Sequence, residues 1–143
     1  MIIPFEGVCT ALVTPFTRRK KIDFLKYGNL IDYQVKSGVS AVLVAGTTGE
    51  GATLSEEEKS ELFDFAVRHA YGKIKVIASV GSNDTSAALR LADSATRAGA
   101  DALLAVTPYY NKTTDEGLIG YYGELSRVGL PLIVYHVPSR TGM

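Results

Sequence analysis

The sequence predicts an α/β fold with a parallel sheet, of the (β/α) TIM-barrel type, and three observations carry that expectation. First, short apolar runs recur at 8–13, 41–45, 74–80, 102–106 and 130–137, nearly continuous rather than alternating. Strands covered on both faces of a parallel sheet have this pattern. Second, amphipathic stretches with helix-start signals lie between the runs, giving a β-α unit four times over and then a fifth strand. Right-handed crossovers make such a sheet parallel. Third, each run ends in polar or Gly/Pro-marked residues: Thr14-Pro15, Gly46-Thr47, Gly81-Ser82, Thr107-Pro108 and Pro138-Ser139. Periodicity alone also fits a doubly wound sheet, but a regular repeat with five such loops on one face suits a barrel mouth. A complete barrel takes about 250 residues. The 143 residues here hold about five strands of eight. The expectation is therefore one domain over residues 1–143, the N-terminal part of a (β/α)8 barrel whose remainder lies outside this chain.

Each helix has its own start and stop. Asp23 can cap a helix carrying Leu30, Ile31 and Val35. Ser55 followed by Glu58 is a capping box, and Glu56 and Glu57 suit the positive end of the helix dipole. Ala88, Leu91, Ala92, Ala95 and Ala98 share one face of a helix starting near Asp84, and Leu118, Tyr122 and Leu125 share a face of one starting near Thr114. Gly38, Gly72, Gly99 and Gly129 stand between each helix and the next strand, where a left-handed cap favours glycine.

Composition narrows the function. Apolar content of 46% fits a soluble globular domain, and a formal net charge of zero offers no electrostatic case for nucleic acid or an anionic membrane. No apolar run approaches the roughly 20 residues that span a bilayer. The N-terminal stretch MIIPFEGV has neither a basic n-region nor a long apolar h-region, so the expected location is cytoplasmic. Cys9 is the only cysteine, and its apolar surroundings predict a buried, inert thiol.

The chemistry centres on the stretch at 42–54, VLVAGTTGEGATL. An apolar strand breaks there into a glycine-punctuated turn with two hydroxyls and a carboxylate. Ligands of α/β proteins bind at such turns, whose backbone N–H groups can hold an anion. Other strand ends add Tyr109 and Tyr110, Tyr135, and Arg140 just beyond. Hydroxyls of Thr and Tyr can pass a proton along a hydrogen-bonded line, and a guanidinium fork suits a carboxylate. A small carboxylated substrate and proton transfer are the reading these residues allow.

Plainer roles compete at each position. Thr47 and Thr48 could satisfy turn backbone. Tyr109 and Tyr110 could be packing or an oligomer contact, Tyr135 a core residue, and Arg140 a solvated charge. His69, near a helix end, is expected at the surface. Strand alternation turns His136 away from Tyr135, which favours a structural role. GTTGEG matches neither G-x-G-x-x-G nor the Walker A pattern, and no G-x-S-x-G elbow occurs. Two scattered histidines and one cysteine make no metal-ligand cluster. No cofactor and no metal site is expected.

Three separated motifs, GTTGE at 46–50, VTPYYNK at 106–112 and YHVPSRTG at 135–142, resemble the N-acetylneuraminate lyase family of pyruvate-dependent aldolases, and within it the dihydrodipicolinate synthase branch. The likeness runs in order along the whole chain. A threonine first in the paired hydroxyls, and the arginine of SRTG, fit that branch better than the sialic-acid lyases, whose turn usually has serine first. The resemblance implies a lyase that joins pyruvate to L-aspartate 4-semialdehyde through a lysine Schiff base, on the lysine and diaminopimelate biosynthesis route. It implies Thr47, Tyr110 and Tyr135 as a proton relay, Thr47 and Thr48 as holders of the pyruvate carboxylate, and Arg140 as the contact for the semialdehyde carboxylate. It also implies a homo-oligomer, a tight dimer doubled to a homotetramer, because the equivalent of Tyr110 reaches into a neighbour's site. Another aldehyde partner within the family, or a non-catalytic half-barrel that self-associates through its open sheet edges, are the alternatives.

One departure decides activity. The family's Schiff-base lysine lies on the sixth strand, and this chain ends at Met143, before it. Lys20, Lys21, Lys26, Lys36 and Lys59 fall in loops or on helices, and Lys73 and Lys75 open strand three at the wrong end. Lys112 is on the right side but without an apolar pocket to lower its pKa. There is thus no Schiff-base lysine in this chain, and alone it is expected to be inactive. Glu56, Lys59 and Ala87 stand where some bacterial relatives carry a lysine-feedback site built from a histidine pair and a glutamate, so strong feedback is not expected. His136 replaces a common asparagine.

Overall fold

The computed structural model describes residues 5–143; residues 1–4, part of the stretch that reads as lacking a leader, lie outside the described residues. The alternation foreseen from the apolar runs is present: β1 (Cys9–Ala11), α1 (Phe24–Lys36), β2 (Ala41–Val44), α2 (Glu56–Ala70), β3 (Lys75–Ser79), α3 (Thr85–Ala98), β4 (Ala102–Val106), α4 (Asp115–Ser126), β5 (Leu132–Tyr135) and a one-turn α5 (Pro138–Thr141). The five strands are parallel and lie in sequence order, β1-β2-β3-β4-β5. That order is the barrel's. A doubly wound sheet reverses its strand order at a switch point, and no reversal occurs here. Successive helices consequently return on one side, where α1 packs on α2, α2 on α3 and α3 on α4.

The helices begin where the sequence sets them. The Asp23 carboxylate accepts from Lys26 N at 3.1 Å, Asp84 from Ser86 N at 2.9 Å, and Thr114 from Gly117 N at 3.2 Å. The capping box of α2 is closed in both directions, with Glu58 N donating to Ser55 Oγ at 3.1 Å and Ser55 N to Glu58 Oε2 at 3.0 Å. Each satisfies an amide that the first helical turn would otherwise leave unpaired. Between α2 and β3 the chain takes two positive φ values in succession, Tyr71 at 46° and Gly72 at 73°, so a tyrosine shares the reversal expected of the glycine alone.

Burial separates the two sides of the sheet. Val42, Val44, Val76, Ala78, Leu103 and Ala105 point to the helices and form the main core with Tyr27, Ile31, Leu62, Phe63, Leu91 and Leu125. The other side carries Ala41, Ile77 and Ala102, with Leu43, Leu104 and Ile133 only partly covered. Coverage on both faces, the expectation from the continuous runs, thus holds for the helix side and fails on the inner side. Edge strands fare worst, and Cys9 shows it. The thiol is exposed on β1, which has a partner on one side only among the described strands, so the expected burial of Cys9 is corrected. Partial burial still raises its pKa. The strands are also shorter than the runs, because apolar residues at 8, 80, 130 and 137 belong to flanking segments. In α4 the buried residues are Tyr121 and Leu125, while Leu118 and Tyr122 are half-buried, so the face is rotated from the expected one.

His69 is not the plain surface residue its position suggests. Its Nε2 lies 3.1 Å from Asp32 Oδ1 on α1, and its ring stacks on Phe65 at 5.3 Å. Gly28 makes room, since a Cβ there would come within 2.8 Å of His69 Cε1. No described helix is long and apolar enough to cross a membrane.

Tyr27 is buried on α1 with its ring 6.2 Å from that of Phe65 on α2, and among the described residues its hydroxyl has no hydrogen-bond partner. Burial pushes its pKa up, and pushes that of Tyr121 up to about 12. A tyrosine that keeps its proton longer in the folded state adds stability below the unfolded value near 10 and loses it as pH rises through the folded value. Denaturant stability should therefore be insensitive to these groups below about pH 9 and fall between about pH 10 and 12. Tyr27→Phe, which removes an unpaired buried hydroxyl, should raise stability by about 1 kcal/mol in urea unfolding and soften the alkaline fall.

Candidate active site

The turn after β2 is held by backbone geometry that few residues tolerate. Gly49 N and Gly51 N both donate to Gly46 O at 3.0 Å, and Glu50 N donates to Thr47 O at 3.1 Å. Ala45 (φ 55°) and Glu50 (φ 58°) occupy the left-handed region, which costs a residue with a Cβ about 1 kcal/mol or more. A Cβ on Gly51 would lie 2.0 Å from Ala45 O, and one on Gly49 would lie 2.8 Å from Leu12 O. The glycines are there because backbone passes over backbone. Buried Thr14, at the end of β1, donates from Oγ1 to Gly49 O at 2.7 Å and ties the turn to the neighbouring strand.

This network leaves Thr47 and Thr48 exposed at the crest. Turn closure falls to Thr14 and to Thr53, whose Oγ1 donates to Glu50 O at 3.0 Å. Among the described residues the N–H groups and hydroxyls of Thr47 and Thr48 have no hydrogen-bond partner. The two threonines are thus not consumed by their own turn, and their amides are available to an oxyanion.

Sheet register relates this turn to β5. Val44 pairs with Ala78, Ala78 with Leu103, and Leu103 with Leu132. Three residues further along β4 and β5, Val106 pairs with Tyr135, while β2 has already turned at Ala45 toward Thr47. Thr47, in the turn after β2, and Tyr135, at the end of β5, thus both stand on the row of carboxyl strand ends. Tyr135 is the last residue of β5 and 37% exposed. It shares the inner side with Ile133, while His136 turns to the helix side and meets Thr107 Oγ1 at 3.2 Å through Nδ1. That divergence is the one strand alternation demands.

Tyr110 is placed differently. It follows β4 with φ 73° and is 93% exposed, so its ring stands off its own chain rather than in the Thr47–Tyr135 row. Asn111 N donates to Tyr109 O and Lys112 N to Tyr110 O, while Asn111 Nδ2 donates to Asn83 O at 2.9 Å, anchoring this loop to the one after β3. Arg140 lies in α5, a helical turn instead of the expected loop, and is exposed with no ion pair among the described residues. Lys75 pairs with Asp101 at 2.7 Å at the amino end of β3, away from this row. Lys112 is exposed in the loop after β4.

Sequence reasoning missed Thr14 and Thr107 as fixed parts of this region. Both are buried, and both sit directly before a proline at a strand end on the helix-facing phase of the strand. That shared Thr-Pro pattern was the available signal. Two surface concavities, of about 400 and 390 Å³, lie beside α1 and the start of α2 instead of over the row. An open sheet helix-covered on one side has no opposite wall to enclose one.

Gly51→Ala should cost about 3 kcal/mol, since the atom it meets is backbone and cannot yield. Thr14→Val, isosteric but without the donor, should cost about 1–3 kcal/mol by leaving Gly49 O unpaired. Urea unfolding of each variant measures both, and a Gly51→Ala protein as stable as the parent would contradict the close-approach geometry.

Comparison with known proteins places this arrangement. The family model described as the dihydrodipicolinate synthetase family matches residues 4–143. A 4-hydroxy-tetrahydrodipicolinate synthase of Fervidobacterium nodosum is 51% identical over 140 residues, covering 97% of this chain and 48% of its own length. The crystal structure of dihydrodipicolinate synthase from Aquifex aeolicus superposes with a TM-score of 0.94 at 45% identity, covering 96% of this chain and 47% of that one. A solved monomeric dihydrodipicolinate synthase variant gives a TM-score of 0.91 at 44% identity, covering 97% of this chain and 46% of that one. The chain spans about half the length of the curated relatives it matches. With these five strands, this glycine turn and this match, the chain belongs to the dihydrodipicolinate synthetase family.

Proposed function

We propose that this chain forms the N-terminal part of a pyruvate-dependent aldolase that condenses pyruvate with L-aspartate 4-semialdehyde, as a 4-hydroxy-tetrahydrodipicolinate synthase. The reading rests on one observation beyond family membership: the unspent amides of Thr47 and Thr48 and the side chain of Tyr135 stand at the same, carboxyl end of the sheet. The Thr47 and Thr48 amides receive the pyruvate carboxylate. A lysine amine from strand six of the complete barrel attacks the keto carbon. Tyr135 delivers a proton to the departing hydroxyl, so that water leaves as the imine forms, and is reprotonated through Thr47 by the proton the nitrogen gives up. Arg140, unpaired and at the rim, meets the carboxylate of the aldehyde.

Tyr110 completes the relay from a second copy of the protein. Its exposure and its left-handed backbone fit a side chain held out toward a neighbour. A tight dimer, paired into a tetramer and working in the cytoplasm, is the assembly proposed.

Borohydride trapping tests the chemistry. With pyruvate, the native-length protein should form a stable adduct on a single lysine, located by peptide mass mapping beyond residue 143. The 143-residue chain should form none. An adduct on Lys112, or on any lysine of this chain, would overturn the assignment.

A further inference from the structure

Three polar groups behind the sheet have no part in the relay just described. Thr107 is 2% exposed at the end of β4, on the helix side. Its amide donates to Tyr135 O at 3.0 Å, and its hydroxyl lies 3.2 Å from His136 Nδ1 and 3.0 Å from Tyr122 Oη. One residue thus holds two consecutive residues of β5, the first by backbone and the second by side chain. Tyr122 sets edge-on against Tyr121 at 5.0 Å, and Tyr121 Oη accepts from Ser82 N at 3.2 Å, after β3. Through two tyrosines of α4 the ends of β3, β4 and β5 are joined.

We propose that Thr107, backed by Tyr122 and His136, is a positioning residue that fixes the direction in which Tyr135 is presented. The inference rests on the proposed role of Tyr135. Tyr135 and His136 are consecutive and face opposite sides of β5, so holding His136 on the helix side fixes Tyr135 on the inner side. A one-residue slip at the end of β5 would exchange which side each ring faces. The hydroxyl of Thr107 prevents that by engaging His136 on the helix side. In the proposed clamp the hydroxyl gives its one proton to His136 Nδ1 and accepts from Tyr122, an arrangement that holds the imidazole as the Nε2–H tautomer.

The test uses the native-length protein with Thr107→Val and Thr107→Ser. In Thr107→Val, of nearly the same shape, kcat should fall about tenfold while KM for pyruvate stays within about twofold, the mark of a misaligned group rather than lost binding. Thr107→Ser, which keeps the hydroxyl, should restore most of kcat. Nitrogen-15 NMR of the histidine ring supplies a readout independent of activity: the parent and Thr107→Ser should hold His136 as the Nε2–H tautomer, and Thr107→Val should lose that preference. Unchanged kcat in Thr107→Val, or an unchanged tautomer, would overturn the proposal. A tautomer shift in a protein that never traps pyruvate would sink the enzymatic reading of Tyr135 and leave the clamp standing.

Discussion

One burial requirement organises the chain. The apolar residues on the helix side of five parallel strands have to leave water, and four helices returning on the same side cover them. Because every crossover has the same hand and every new strand joins the same edge, all carboxyl strand ends fall on one rim. The site is a consequence of that. Thr47 and Tyr135 lie far apart in sequence, yet the parallel order of β2 and β5 sets both at the carboxyl end of the sheet.

Rigidity is concentrated behind the rim instead of on it. Thr14 grips the glycine turn from β1, and Thr107 grips the end of β5 from β4. Both hydroxyls are buried, where a satisfied hydrogen bond is kept and an unsatisfied one is costly. The groups proposed to meet substrate, Thr47, Thr48, Tyr135 and Arg140, are at the surface of this chain and largely free of internal partners. Division of labour between a fixed back and an uncommitted front is what a preorganised site needs. Charged pairs lie outside it: Glu56 holds Arg90 through two contacts, at 2.9 and 2.7 Å, between α2 and α3, and that pairing draws the Glu56 carboxyl below its usual range.

The inner side of the sheet has a different character. Leu43, Leu104 and Ile133 are half covered, Val134 is exposed on the other side of β5, and Val8 and Val13 are exposed beside β1. In relatives of about twice this length, more chain is available to the barrel. The missing enclosure around the Thr47–Tyr135 row has the same origin as the uncovered leucines, since both lie on the inner face of an open sheet.

The sequence by itself determined the elements and much of the site. Asp23, Ser55, Asp84 and Thr114 cap the helices they were expected to cap, because capping is a local contest settled within four residues. Strand alternation alone separated His136 from Tyr135. Three short motifs were enough to name the family. Only the tertiary structure decided which threonines close the β2 turn, that Cys9 is exposed, that His69 bridges two helices, and that Tyr121 rather than Leu118 is buried. Each of these depends on what another part of the chain brings alongside: an absent neighbour at β1, a glycine on α1, the end of β3 above α4. A periodic pattern records which side of an element is apolar, but not what will stand against it.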